Sequence, residues 1–252
     1  MTHVTQHDIE QGLRCLDLKS GDKVLAHSAL SSFGHVKGGA NAVIDALLAV
    51  TGTAGTVLVP TLTGSETLSP ENPPVFDPAR TPCWTGRIPE TFRLRAAAVR
   101  SLHPTHSVAA IGTDAEALTR EHLNSITPCD EQSPYGQLAA LDDGYILLIG
   151  VGHSSNTTLH HVEELAAVEY HLQKRLARAA IMLDGRHMYR HIFLHQYGTL
   201  RNFAVIEPLL VERGIQVETR VGPSMLKLVQ IKPMVEVTLR CLRANSRFLC
   251  AD

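Results

Sequence analysis

Three segments carry the residue types that could do chemistry. The first reads Gly150-Val151-Gly152-His153-Ser154-Ser155-Asn156-Thr157-Thr158-Leu159-His160-His161-Val162-Glu163-Glu164. Ser, Asn and Thr are helix N-cap types, so a helix is expected to start near Asn156. His160 then falls in its first turns, with Glu163 three and Glu164 four residues on. Side chains at those spacings meet on one helix face. A carboxylate there fixes the imidazole tautomer and favours the protonated ring, which suits a general base. His160 and His161 are adjacent, so they face about 100° apart on a helix. H-H-x-E-E is not H-E-x-x-H, and no metal is expected.

The second segment is His27-Ser28-Ala29-Leu30-Ser31-Ser32-Phe33-Gly34-His35-Val36-Lys37-Gly38-Gly39. A strand ends, serines and glycines follow, and a helix begins. Backbone N–H groups at a helix start bind anions, and glycine lets a phosphate come close. Neither G-x-x-x-x-G-K-[ST] nor G-x-G-x-x-G occurs, so an ordinary connecting loop stays open as the alternative. The third is Ser101-Leu102-His103-Pro104-Thr105-His106-Ser107. Its two histidines could be ligands, bases or loop packing. Five cysteines, an odd number far apart and without C-x-x-C, suggest reduced thiols in a cytoplasmic protein. Cys83 and Cys129 lie in loops with no histidine beside them, which argues for inert thiols.

The elements that must hold these segments follow from periodicity. Helical spacing is expected over residues 5–19, 40–50, 87–98, 114–123, 156–172, 200–213 and 233–243. Buried or strand-like runs are expected over 23–28, 56–60, 107–111, 145–150, 179–183, 191–194, 216–221 and 226–231. Residues 61–84 hold five prolines and little periodicity, and read as a long irregular loop of the functional kind. Strands alternating with helices predict an α/β protein: three layers, α/β/α, around a central mixed sheet, with residues 1–252 as one domain. Ligands in such sheets sit beyond the carboxyl ends of the strands, so loops 27–39, 61–64 and 150–158 are the places to look.

Composition narrows the class. The 23 basic and 25 acidic residues give a net charge of −2, which argues against a nucleic-acid binder. No apolar run of about 18 residues is present, so no membrane span is expected. The polar start, with acidic residues and no apolar stretch, does not read as a signal peptide.

Together these segments resemble the aminoglycoside 3-N-acetyltransferase family, over about residues 8–250. The resemblance rests on His27-Ser28-Ala29-Leu30-Ser31-Ser32-Phe33-Gly34 with Gly38-Gly39, Gly55-Thr56-Val57-Leu58-Val59-Pro60 and Phe76-Asp77-Pro78. It continues through Arg100–Ser107, Ser133-Pro134-Tyr135, Leu147–His153 and Asn156-Thr157-Thr158-Leu159-His160. Arg220-Val221-Gly222, Arg243-Ala244-Asn245 and Phe248-Leu249-Cys250 also fit.

The resemblance implies an acetyl-CoA-dependent N-acetyltransferase that confers antibiotic resistance, with direct transfer in a ternary complex. It makes His160 the general base and Glu163 its acidic partner. Ser28, Leu30, Ser31, Ser32, Val36, Gly38 and Gly39 would hold acetyl-CoA, with His103 and Ser107 beside the thioester. Asp77, Glu163, Glu164, His195 and Tyr197 would face a small cationic amine such as an aminoglycoside, in a monomer or homodimer. Relatives usually place acidic residues before the helix at 200–213. Here that stretch is His195-Gln196-Tyr197-Gly198-Thr199-Leu200-Arg201-Asn202-Phe203, without Asp or Glu. Polycations bind best where carboxylates compensate them. Another small amine, or a non-catalytic CoA-binding protein of the same fold, are the other readings.

Overall fold

The structure, a computed structural model, describes residues 3–251. Met1, Thr2 and Asp252, the ends of the expected single domain, lie outside the described residues. The first half of the chain runs α1 (Gln6–Cys15), β1 (Lys23–Ser28), α2 (Gly39–Thr51), β2 (Thr56–Pro60), β3 (Val75–Phe76), α3 (Arg87–Arg93), β4 (Val99–Arg100), β5 (Val108–Gly112), α4 (Ala115–Arg120) and α5 (Pro134–Ala139). The second half runs β6 (Gly144–Ile149), α6 (Thr158–Leu165), β7 (Leu172–Leu183), β8 (Arg186–His195), α7 (Glu207–Glu212), β9 (Gln216–Val221), β10 (Ser224–Gln230) and α8 (Ile231–Ala244).

Seven strands form one mixed sheet in the order β4-β5-β2-β1-β6-β10-β9. β1 pairs in parallel with β2 and β6, and the outer strands join antiparallel. The period of two along each strand explains the layering. Val24 and Ala26 of β1, Val57 and Val59 of β2, and Leu147 and Ile149 of β6 pack with α1, α2 and α3. Leu25, Leu58, Ile146 and Leu148, one residue out of phase, pack with α4, α5, α6 and α8 on the other face. Both faces are covered, which is why these strands read as continuous apolar runs. The three-layer α/β/α expectation holds.

The parallel register puts the carboxyl ends of β1, β2 and β6 on one edge. At that edge Gly150 has φ +63, and a Cβ there would lie 1.9 Å from Ser32 Oγ. Ser32 Oγ is held by Ala29 O and Ser224 Oγ, so it cannot retreat cheaply. A left-handed alanine and an overpacked contact each cost about 1–2 kcal/mol. Gly150→Ala is therefore expected to lower unfolding free energy by about 2–4 kcal/mol in a denaturant titration, and a change under about 0.5 kcal/mol contradicts this reading of the turn.

Several elements differ from the sequence reading. The helix expected over 156–172 stops at Leu165, because Ala167 takes φ 51 and turns the chain toward β7. The runs 179–183 and 191–194 are parts of one long ribbon, β7–β8. Its turn is Asp184-Gly185, at φ 50 and 74, both positive as a two-residue hairpin loop requires. β3 adds to β7, giving a second, three-stranded sheet that the sequence reading did not contain. α5 was also unforeseen, although Ser133 caps it by accepting from Gly136 N–H and Pro134 sits in its first turn. The helix expected over 200–213 is a 3-10 turn at Phe203–Ile206 followed by the short α7.

Candidate active site

A cavity of about 230 Å³ opens at the carboxyl edge of the parallel strands. β1 contributes His27 and Ser28, and the segment after β2 contributes Leu62. Trp84 and Thr85 come from the proline-rich loop, and residues 154–157 from the turn after β6. His160 and Phe203 complete the wall. Ser28 Oγ and His27 Nε2 are buried without a hydrogen-bond partner. Unpaired buried polar atoms in a cavity wall call for a ligand. Burial pushes the His27 pKa down to about 3, so this ring stays neutral.

The wall is chemically active at His160. Its Nδ1–H donates to Glu163 Oε2 at 2.6 Å. A carboxylate only accepts, so Nε2 is the ring's free lone pair. Burial lowers the pKa of His160, and the Glu163 hydrogen bond only partly restores it. The ring is therefore a neutral imidazole able to take a proton.

Glu163 itself is fully buried and held three ways. Beside His160, Arg201 Nε donates to its Oε1 at 3.1 Å, and His171 Nδ1 lies 2.9 Å from its Oε2. Burial would raise its pKa, but the hydrogen bonds to His160 and His171 outweigh burial and hold the carboxylate well below its ordinary range. His171 has the opposite balance. Burial lowers it, yet Glu163 and Glu164 together raise its pKa above the usual value. His171 Nε2–H donates to Glu164 Oε1 at 3.2 Å. His195, from the end of β8, stands 4.7 Å from the His160 ring and 5.0 Å from His171, centroid to centroid. Burial first, then the neighbouring imidazoles and Arg201, lower its pKa strongly. Ring nitrogens of His160, His171 and His195 fall within 4.8 Å of one another.

The structure brings some of the expected residues together and separates others. Ser28, His160 and Glu163 belong to the cavity and its immediate support, and Tyr197 stacks edge-on to His195 at 5.0 Å. Leu30, Ser31, Ser32, Val36, Gly38 and Gly39 sit on the loop that continues from Ser28, outside the lining of this cavity. Ser31 and Gly38 are exposed there, whereas Val36 is buried in the core and Ser32 is tied to Ser224.

Four expectations need correction on position. His103 is buried, stacked on His122 at 4.8 Å, with its Nδ1 accepting from His106 N–H. Ser107 is buried between Thr61 and Arg100, which occupy its hydroxyl. Both pack the loop behind the site and do not line it. The Asp77 carboxylate closes its own turn by accepting from Ala79 and Arg80 N–H. Glu164, four residues from His160, points instead to Thr127 and Cys129 N–H, where with Asp130, Glu131 and Glu169 it lines a separate acidic cavity.

Sequence reasoning missed His171, Arg201 and Trp84. No spacing signal links His171 or Arg201 to Glu163, since both arrive through chain reversals. Trp84, the chain's one tryptophan, could have been flagged by its place in the proline-rich loop.

The geometry has close counterparts among known proteins. A family model described as aminoglycoside 3-N-acetyltransferase matches residues 25–243. Aminoglycoside N(3)-acetyltransferase IV of Salmonella sp is 32% identical over 226 residues, covering 89% of this chain and 82% of that protein. The crystal structure of aminoglycoside acetyltransferase AAC(3)-Xa superposes with a TM-score of 0.84 at 33% identity, over 99% of this chain and 95% of that one. AAC-IIIb, solved as a binary complex with CoASH, superposes with a TM-score of 0.82 at 25% identity, over 96% of this chain and 97% of that one.

Proposed function

Because this chain belongs to the aminoglycoside 3-N-acetyltransferase family, we propose that it moves the acetyl group of acetyl-CoA to the 3-amino group of an aminoglycoside, with His160 as general base. The observation that carries this reading is the His160 ring: in the cavity wall, neutral, with Nδ1–H fixed on Glu163.

The steps follow from the residues. An aminoglycoside amine is mostly an ammonium near neutral pH and is no nucleophile. His160 Nε2 accepts its proton. The nitrogen lone pair then attacks the thioester carbonyl, and the carbonyl electrons move to oxygen. The Ser28 hydroxyl, buried and unpaired, is a donor available to the oxygen that gains charge. When the intermediate collapses the carbon–sulfur bond breaks, CoA leaves with the proton from His160, and the second proton of the former ammonium leaves the nitrogen through the freed His160 Nε2 to solvent. Positioning two substrates in one cavity supplies much of the acceleration.

Direct transfer, without an acetyl-enzyme, is supported by the state of the thiols. Burial pushes both Cys129 and Cys83 up, away from thiolate. On the acceptor side we assign His195 and Tyr197. The exposed face of the Ser28–Gly39 loop is the continuation on which the carrier's phosphates would rest. We treat residues 1–252 as one acetyltransferase domain. Among the described residues no helix is long and apolar enough to cross a membrane.

One observation favours a less charged amine as the acceptor. Next to His160 stand His106, His195 and Phe203, with Tyr197 against His195, and the one carboxylate in contact with His160 among the described residues, Glu163, is already bound by His171 and Arg201. Free-thiol release from acetyl-CoA, measured across chemically distinct aminoglycosides and simple amines, tests both. Turnover on aminoglycosides supports the first reading, turnover confined to simple amines supports the second, and none on any amine overturns acetyl transfer.

Trp84 offers an independent check of the cavity. It is 62% exposed at the rim, with its ring N–H held by Gly64 O. Its fluorescence is expected to change saturably as CoA is titrated in. An unchanged spectrum at saturating CoA would place the carrier elsewhere.

A further inference from the structure

The imidazole cluster beside the cavity is richer than proton transfer needs. A single base and one carboxylate suffice for that step, yet His160, His171 and His195 converge from α6, the segment before β7 and the end of β8. One ring nitrogen from each lies within 4.8 Å of the other two. Nδ1 of His195 is buried with no hydrogen-bond partner. His171 Nδ1 lies 2.9 Å from Glu163 Oε2, so an ion bound there displaces the proton this nitrogen shares with the carboxylate. The orphaned Nδ1 of His195, beside the free Nε2 of His160, asks for a ligand that accepts lone pairs.

The surroundings resemble the outer shell of a metal centre. Glu163 takes the Nδ1–H of His160, and Glu164 takes the Nε2–H of His171. Carboxylates behind metal-binding imidazoles do this: they fix the tautomer and turn the other nitrogen toward the ion. His160 is only partly buried in the cavity wall and His195 is partly buried beside it, so a water can complete the coordination. A tetrahedral ion with bonds of about 2.0–2.1 Å holds its ligand atoms about 3.3 Å apart, so the rings must close by about 1 Å or more. An all-imidazole set favours a zinc-like ion over the oxygen-seeking Mg²⁺ and Ca²⁺.

We propose that His160, His171 and His195 form a binding site for one zinc-class divalent ion, and that an ion there blocks catalysis by occupying the lone pair of His160. The binding rests on the arrangement of the three rings alone. The inhibitory consequence rests on the acetyl-transfer reading.

The test uses the full chain without an affinity tag, stripped with chelator and dialysed. Co²⁺ serves as the spectroscopic probe and Zn²⁺ as its competitor. One equivalent of Co²⁺ is expected to give the intense visible bands of a four-coordinate ion, which Zn²⁺ abolishes. His195→Ala is expected to lose those bands and to weaken Zn²⁺ binding by at least about 10–100-fold. His171→Gln repeats the test if the alanine variant does not fold. His187→Ala, an exposed histidine on β8, should bind as the unaltered chain does. A weak octahedral spectrum, or binding that survives both His195→Ala and His171→Gln, overturns the site. Zn²⁺ should also suppress thiol release by the unaltered chain, reversibly with chelator. Binding without suppression overturns the inhibitory half. An absence of turnover on every amine would defeat the acetyl-transfer reading and, with it, the inhibitory half, while the Co²⁺ spectrum still decides the site.

Discussion

Replacing His160 with alanine is expected to lower kcat by about 10²–10⁴-fold, the range typical of a lost general base, while CoA affinity changes by less than about threefold. The two effects are expected to separate because His160 is one residue in the wall, whereas Ser28, Trp84 and residues 154–157 still line the cavity. The variant should also fold, since the ring is partly exposed and its one strong bond is to Glu163, which keeps Arg201 and His171. Activity within about tenfold of the unaltered chain would remove His160 from the reaction. Loss of CoA binding in step with activity would make it a binding residue.

Glu163→Ala is expected to be the most damaging change to the scaffold. The carboxylate is wholly buried, and removing it strands Arg201 Nε and His171 Nδ1 without their partner. Breaking a buried pair in this way costs about 3–5 kcal/mol of stability. Activity should fall by about 10²-fold or more as well, because His160 loses the group that fixes its tautomer. The dependence on pH follows from two opposite shifts. Glu163 is held below its ordinary 4.5, so its contribution is present above pH 4.5 and is lost as pH falls toward its depressed pKa. His171 is raised above its ordinary 6.5, so its contribution is full below pH 6.5 and is lost as pH climbs through the raised value. The stability difference between the unaltered chain and Glu163→Gln should therefore be widest between pH 4.5 and 6.5. A difference that stays flat from acid to alkaline conditions would show that the carboxylate is not paired as described.

The parts of this design that can be read from sequence are the local ones. β1, β2 and β6 are legible because burial on both faces writes an unbroken apolar run. The His160–Glu163 pair is legible because three residues along a helix is one neighbouring position. Glu164 has the same apparent claim, but the extra 100° of helix rotation carries it to Thr127 and Cys129. Asp77 fails for a related reason, since an Asp before Pro-Ala-Arg closes its own turn before it can reach a distant ligand.

The illegible parts depend on where the chain reverses. Apolar spacing continues through Val168 and Leu172 as though α6 ran on, and only the left-handed Ala167 brings His171 back against Glu163. Arg201 is held by a bridge to Cys250 near the far end of the chain, a pairing with no local trace. His103 looked like chemistry because two histidines flanked a proline. Its Nδ1 instead accepts from backbone N–H groups and its ring stacks on His122, while its Nε2 is buried without a partner.

In the proposed reaction a part-buried, neutral imidazole at position 160 takes the proton. The pH dependence of kcat/KM tests it most directly. An acid limb with its midpoint below 6.5 is expected, because burial outweighs Glu163 at this ring and activity is lost only when the ring is protonated. A midpoint above 6.5, or the same limb persisting in the residual activity of His160→Asn, contradicts it.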